Sequence, residues 1–264
     1  MENTYWLKQS SNEPAFPGLI WSRPEQKSAA GKLLIIGGNA HGFSAPAEAY
    51  QTAVLAGIGT THVLMPDSIK KLTGGMIDTL DYAPSTPSGS FSKSALDEVL
   101  QKAAWADGLL LAGDLGRNSE TAILLEKLLA KYEGQISLTK DATDYGVGFV
   151  KSLIDRPQTL VVATMAQLQK LFMTSRQAEH ISFDMDLVRL AELLHKFTTE
   201  HPICILTKQH NKLLVSYQGR VSSTDTPIDN EDMWRVKTAT KATVWWLQNP
   251  TKTFESITTS LLES

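Results

Sequence analysis

The sequence predicts a three-layer α/β/α fold with a mostly parallel central sheet. Three observations predict it: short apolar runs suited to strands buried on both faces, helical segments that alternate with them, and glycine-bearing loops where the runs end. The first run is Leu33-Leu34-Ile35-Ile36, closed by Gly37-Gly38. A helix follows over Ala47–Ala56, where Ala49, Ala53 and Ala56 recur at helical spacing, and Thr61–Met65 supplies the next strand before Pro66. These three segments make one βαβ unit.

Beyond a Pro/Ser-rich loop at Pro84–Ser92, Ser94 with Asp97 reads as a capping box opening a helix to about Ala104. Gly108–Leu111 is the next strand, Gly113–Gly116 a turn, Glu120–Tyr132 a helix and Ile136–Leu138 a strand. Leu160–Ala163 is again apolar and short; it precedes an amphipathic segment through Leu168, Leu171 and Phe172 and a longer helix over Asp184–Thr199. Ile203–Leu206 and Lys212–Val215 are two late strands, Gly219 marks a turn, and helices over Met233–Leu247 and Thr251–Leu262 are split by Pro250. One domain over residues 1–264 is expected, because large α/β sheets reach this length without dividing.

Composition narrows the class. Of 264 residues, 42% are hydrophobic, enough for a sizeable core, and 25 Lys and Arg against 28 Asp and Glu leave a net charge of −3. No basic excess or run supports binding to nucleic acid through its phosphates. Cys204 is the one cysteine, so no intramolecular disulfide or multi-cysteine zinc site can form, which fits a reducing cytoplasm. No run approaches the roughly 20 apolar residues of a membrane span, and Met1–Lys8 lacks the apolar core of a signal peptide.

Ligands of open α/β sheets sit beyond the carboxyl ends of strands, so four loops matter: Gly37–Pro46, Ala112–Ser119, Thr139–Asp144 and Ala163–Gln167. The first places glycines between a strand and a helix start, where backbone N–H groups can approach an anion, although it matches neither a dinucleotide fingerprint nor a Walker loop. The same glycines would equally serve a tight turn.

Within and beyond these loops an ordered series appears: Gly37-Gly38-Asn39, Ser44-Ala45-Pro46 and Gly57-Ile58-Gly59; then Leu111-Ala112-Gly113-Asp114-Leu115-Gly116; then Thr139-Lys140-Asp141-Ala142-Thr143; then Thr207-Lys208-Gln209. It resembles the ADP- or ATP-dependent NAD(P)H-hydrate dehydratases, carbohydrate-kinase-like proteins of the ribokinase-like superfamily, whose corresponding motifs are Gly-Gly-Ser with Gly-Ala-Pro and Gly-x-Gly, Ile-Gly-Pro-Gly-Leu-Gly, Asp-Ala-Asp-Ala-Leu and Leu-Lys-Gly. The resemblance implies a ribokinase-like fold and a hydro-lyase that removes water from hydrated NADH or NADPH, with ADP or ATP as cofactor and Mg left open. It implies substrate contacts at Asn39 and Ala45 and nucleotide contacts at Lys208, Thr238 and Thr240, while the loop positions of His41 and Asp114 make these two further candidates for substrate contact.

The chain departs from that pattern where chemistry is expected. The family's Leu-Thr-Pro-His-Pro-Gly-Glu stretch corresponds to 161–167, so its His falls at Thr164 and its Glu at Gln167. The Gly-x-Gly-Asp element corresponds to Thr238-Ala239-Thr240-Lys241, and no Gly occurs after Gly219. Losing a general base typically costs about 10²–10⁴ in rate. Two readings follow: a dehydratase of weakened or lost activity, or an inactive relative that binds a nucleotide or a protein partner.

Single residues carry competing roles. His41 either shuttles protons or is an exposed loop imidazole; Ala45 either packs on the nicotinamide end or is a small helix-start residue. Asp114 either holds a ribose hydroxyl or caps the helix that follows it. Asp141 alone is no metal site, and Lys208 either meets a phosphate or is solvated. The acidic stretch Asp225, Asp229, Glu231 and Asp232 lacks calcium-loop spacing and reads as a solvated loop. Trp245 and Trp246 point about 100° apart on a helix, too far for one narrow core stripe, so either one meets a partner subunit, as in a homo-oligomer, or both pack under the last helix.

Overall fold

The computed structural model describes residues 4–73, 79–226 and 234–263. Ten strands form one sheet: β1 (Trp6–Gln9), β2 (Lys32–Gly37), β3 (Thr60–Pro66), β4 (Leu80–Ala83), β5 (Gly108–Gly113), β6 (Gln135–Leu138), β7 (Thr159–Ala163), β8 (Cys204–Gln209), β9 (Lys212–Tyr217) and β10 (Arg220–Asp225). Their order is β1-β10-β9-β8-β7-β6-β5-β2-β3-β4, and β9 alone runs against the others. The mostly parallel sheet expected from the apolar runs is present. The edge strands β1 and β4 and the hairpin strand β10 carry too little continuous apolar sequence to have been read as strands.

The apolar runs explain the layers. In β2, Leu34 and Ile36 enter the core on one face of the sheet while Leu33 and Ile35 enter the core on the other. Strands β5 and β7 divide in the same way, which is why they lack polar alternation. One face is covered by α2 (Ser44–Leu55), α10 (Trp234–Gln248) and α11 (Thr253–Ser260); the other by α4 (Leu96–Trp105), α5 (Ser119–Lys131), α6 (Asp141–Gly148), α7 (Val150–Ile154), α8 (Met165–Thr174) and α9 (Leu187–Glu200). Short helices α1 (Pro17–Trp21) and α3 (Lys70–Thr73) lie outside this frame.

Two local expectations are corrected and one open choice is decided. Ser94 does not cap α4: Ser92 accepts the Ser94 amide at a single 3₁₀ turn, and α4 begins at Leu96. The Thr139–Asp144 segment is not a loop throughout, since α6 starts at Asp141. Trp245 and Trp246 are both core residues, 0% and 1% exposed. Helix α10 rests on β5, β6 and β7 and is flanked by α2 and α11, so far more than one stripe of it is enclosed. Trp246 joins the apolar core and Trp245 lies under the Arg23 guanidinium at 4.8 Å. Of the acidic stretch, Asp225 pairs with Lys212; Asp229, Glu231 and Asp232 lie outside the described residues, as does the side chain of Trp234.

Arg156 holds the seam between α5, β6 and β7. It is 8% exposed, and its guanidinium donates to the carbonyls of Tyr132, Gly134, Pro157 and Gln158 and to Thr159 Oγ1. Burial pulls its pKa down to about 10. Arg156→Ala leaves several of these acceptors without a donor and is expected to lower stability by about 3 kcal/mol in urea unfolding. Arg156→Lys should recover only part of it, because an ammonium has three donors and no planar fork.

Candidate functional site

The order of the sheet places the site. From β2 the chain steps outward through β3 and β4; from β5 it steps the other way through β6, β7 and β8, so the topology switches between β2 and β5. Loops diverge at such a switch and leave a crevice at the carboxyl ends of the strands. Gly37 sits opposite Gly113 at a register shift, and the Gly38 amide donates to Gly113 O at 3.0 Å. A Cβ on Gly37 would stand 2.5 Å from Gly113 O, so the absence of a side chain is what allows the two strand ends to approach.

The loop after β2 is a tight turn in which Asn39 bridges Gly42. Asn39 is 8% exposed; its Oδ1 accepts the His41 amide at 2.7 Å and its Nδ2 donates to Asp114 O at 2.6 Å. This tie fastens the first loop to the loop after β5. The His41 side chain is exposed at the tip.

Asp114 is the centre of the arrangement. Its backbone is left-handed, φ 56°, and its carboxylate reaches back to the start of α2. Oδ2 accepts the Ala45 amide at 2.7 Å and the Ser44 hydroxyl at 3.1 Å; Oδ1 accepts Lys140 Nζ at 2.7 Å. Lys140 also has a left-handed backbone, φ 53°. Asp114 therefore caps a helix about 70 residues earlier in the chain rather than the one that follows it, whose cap is Asn118. The carboxylate satisfies an amide that an outside anion would otherwise use. Burial opposes ionisation of Asp114, but Lys140, the Ala45 amide and Ser44 together outweigh it and hold the carboxyl below its ordinary range.

Asp141 lies beside this pair and behaves oppositely. Its Oδ2 accepts the amides of Leu115 at 2.8 Å and Gly116 at 3.2 Å, while its Oδ1 is buried without a hydrogen bond. Burial, reinforced by the nearby Asp114 charge, pushes its carboxyl up despite the two amides. The two acids thus divide in protonation tendency, as close carboxylates do. Among the described residues no group of three or more His, Cys, Asp or Glu could hold a metal ion.

Thr164 and Gln167 do structural work. They form a reciprocal capping box at the start of α8, and Gln167 Nε2 also donates to Lys140 O at 2.7 Å and Asp144 Oδ2 at 3.0 Å. Thr240 is fully buried with its hydroxyl on Val236 O at 2.7 Å, and Thr238 is 6% exposed. Lys208 is half-buried in β8, in register with Leu213, and has no ion-pair partner among the described residues. Lys241 stands on α10, whose first turns reach α2 through Lys237 and Glu48 at 3.4 Å. The structure therefore joins Asn39, Ala45 and Asp114 directly, with His41 held beside them, and does not join Lys208, Thr238 or Thr240 to that group by any hydrogen bond. It adds Ser44 and Lys140, which the sequence reading passed over. A signal was there: the resembled turns have Gly where this chain has Asp114 and Ala where it has Lys140, two departures of opposite charge.

Comparison with solved structures decides the fold. A ribokinase-like superfamily protein from Enterococcus faecalis superposes with a TM-score of 0.74 over 99% of this chain and 87% of that one, at 14% identity. The fold is ribokinase-like. A second neighbour, an ADP/ATP-dependent NAD(P)H-hydrate dehydratase from Bacillus subtilis co-crystallised with ATP and Mg²⁺, gives a TM-score of 0.61 at 12% identity over 94% of this chain and 86% of that one. No protein-family model matches the chain. In sequence, this ribokinase-like chain is similar to two bifunctional NAD(P)H-hydrate repair enzymes, 28% identical over 141 residues in Salinibacter ruber and 30% over 121 residues in Moorella thermoacetica. Those matches take in 52% and 44% of this chain and only 26% and 22% of the relatives, about a quarter of their length.

Proposed function

We propose that the chain, as a single domain, is a divergent NAD(P)H-hydrate dehydratase-like protein that binds a nucleotide over its strand ends and removes water from hydrated NADH or NADPH, with ADP or ATP, much more slowly than its relatives. The observation that supports this reading is the switch-point crevice itself, whose Gly37–Gly113 crossing and Asn39 tie keep a ligand cradle at the place where the relatives' motifs lie. Lys208 supplies a point charge for a phosphate. The committed hydroxyl of Thr240 does not fit a phosphate contact, and no acidic cluster among the described residues fits Mg²⁺. Where a base belongs, Lys241 carries the opposite charge, and Thr164 and Gln167 are spent on the α8 cap. No proton-transfer step is therefore assigned to these residues.

The Asp114–Lys140 pair favours the second reading, a non-catalytic relative that binds a nucleotide or a protein partner, because it fills the crevice beside Ala45. A cytoplasmic setting belongs to both readings, and a small-molecule nucleotide partner to the first and to the nucleotide-binding form of the second. Purified protein is to be given NADPH hydrate with ADP or ATP and followed by recovery of NADPH absorbance, alongside thermal shifts with AMP, ADP, ATP and NADPH. Turnover at least about 10²-fold below a relative with an intact Gly-x-Gly-Asp element is expected. Comparable turnover would overturn the weakened activity. A ligand at 100 times its Kd adds about 2.7 kcal/mol, so the absence of any thermal shift would remove nucleotide binding from the proposal.

A further inference from the structure

A second concavity lies on the other side of the loop after β5, between the starts of α5 and α6 and the middle of α8. Its volume is about 580 Å³, and Arg117, Ser119, Asp144, Tyr145 and Lys170 line it. That volume suits a small molecule. Its charges are unequally engaged. Asp141, at its edge, has one carboxylate oxygen turned to the Leu115 and Gly116 amides and the other buried, and Asp144 accepts Gln167 Nε2. Arg117 and Lys170, both exposed, have no side-chain ion pair or hydrogen bond among the described residues. They come from different elements, the β5–α5 loop and α8, yet face one cleft.

The walls are fixed. The Tyr145 hydroxyl donates to Gly116 O at 2.6 Å and accepts the Asn118 amide at 2.9 Å, which locks the loop carrying Arg117 to α6. Asn118 caps the 13-residue helix α5 through the Glu120 amide, and the positive end of that helix dipole opens on the same cleft beside Ser119. Two unengaged cations and a helix N-terminus on a rigid rim would attract an anion bearing more than one charge.

We propose that this cleft binds the phosphate or diphosphate group of a small molecule, clamped between Arg117 and Lys170, at a place separate from the Asp114–Lys140 pair. The test uses the full chain and titration calorimetry with inorganic phosphate, pyrophosphate and AMP. Wild type is expected to bind pyrophosphate, and the double variant Arg117→Glu/Lys170→Glu to lose at least about tenfold in affinity. A charge-matched control, Lys127→Glu/Lys151→Glu, alters exposed lysines outside the cleft and should keep wild-type affinity. Tighter binding of AMP than of pyrophosphate, lost in the cleft variant, would assign a nucleotide as the source of the phosphate; the reverse order would assign an inorganic or non-nucleoside diphosphate. No binding of any probe by wild type, or an equal loss in the control, would overturn the site. The outcome is independent of the dehydratase reading: slow turnover of NADPH hydrate unchanged in the cleft variant with no pyrophosphate binding sinks the cleft alone, and pyrophosphate binding without turnover or nucleotide shifts sinks the dehydratase alone.

Discussion

Asp114→Ala is expected to lower stability at neutral pH by about 3 kcal/mol, a fall in Tm of several degrees. The Asp114 and Lys140 side chains are only 15% and 25% exposed, so removing the carboxylate strands an ammonium that water solvates poorly. It also leaves the Ala45 amide without its acceptor, a loss of about 1 kcal/mol by itself. Asp114→Gly should be less damaging than Asp114→Ala by about 1 kcal/mol, since the backbone at φ 56° is left-handed and glycine adopts it freely. The pH dependence has a definite sign. A carboxyl held below its ordinary range contributes stability that is present above the unfolded value and is lost as pH falls through the folded one. The gap between wild type and Asp114→Ala should therefore stand at neutral pH and begin to narrow as pH falls below roughly 4. Calorimetric melts at pH 7 and pH 3 check this; equal stabilities at pH 7, or a gap that does not shrink between pH 7 and pH 3, would refute the assignment.

Gly37→Ala is expected to be at least as severe. Its Cβ would meet Gly113 O at 2.5 Å and Pro46 Cδ at 3.4 Å, and the nearer atom is backbone of a central strand that cannot swing aside. Forcing β2 and β5 apart at their ends costs about 3 kcal/mol and separates the Asn39 amide from Asp114 O, so the crevice should lose its shape along with its stability. Gly148→Ala, where nothing lies within 4 Å of the new Cβ, is the control and should stay within about 0.5 kcal/mol. Urea unfolding of the pair separates a site-specific clash from a general effect of replacing glycine. If Gly37→Ala melts like Gly148→Ala, the two strand ends are not held at the distance described.

The two variants bear on function through one question, whether the crevice is open to a ligand. Asp114 occupies the α2 amide with a carboxylate and Lys140 neutralises it, so the crevice carries its own ion pair. Both groups are held by left-handed backbone at strand ends, which limits their freedom to turn away. At the second cleft Arg117 and Lys170 form no ion pair among the described residues, although Asp141 and Asp144 also line it.

Much of the architecture was legible residue by residue. Leu33-Leu34-Ile35-Ile36, the Leu109–Leu111 run and Leu160-Val161-Val162 carry no polar alternation because each is covered on both faces, and that property is local to the run. Edge strands such as β1 were illegible because a strand paired on one side and partly solvated, with the burial of Trp6–Gln9, has no apolar signature. The adjacent indoles of α10 left two readings open for a related reason: a 100° separation rules out a narrow stripe, but a helix walled by the sheet and two neighbours has no narrow stripe.

By itself the sequence determined the alternation of strand and helix and the strand-end loops with their glycines, because period and glycine placement are properties of short segments. Only the tertiary structure decided what Asp114 does. As a turn residue it reads as a cap for the next helix; in the fold its carboxylate spans from the end of β5 to the start of α2 and meets Lys140 from the end of β6. Three segments far apart in the chain converge there because parallel strands bring their carboxyl ends to one edge of the sheet, and no local pattern encodes that meeting.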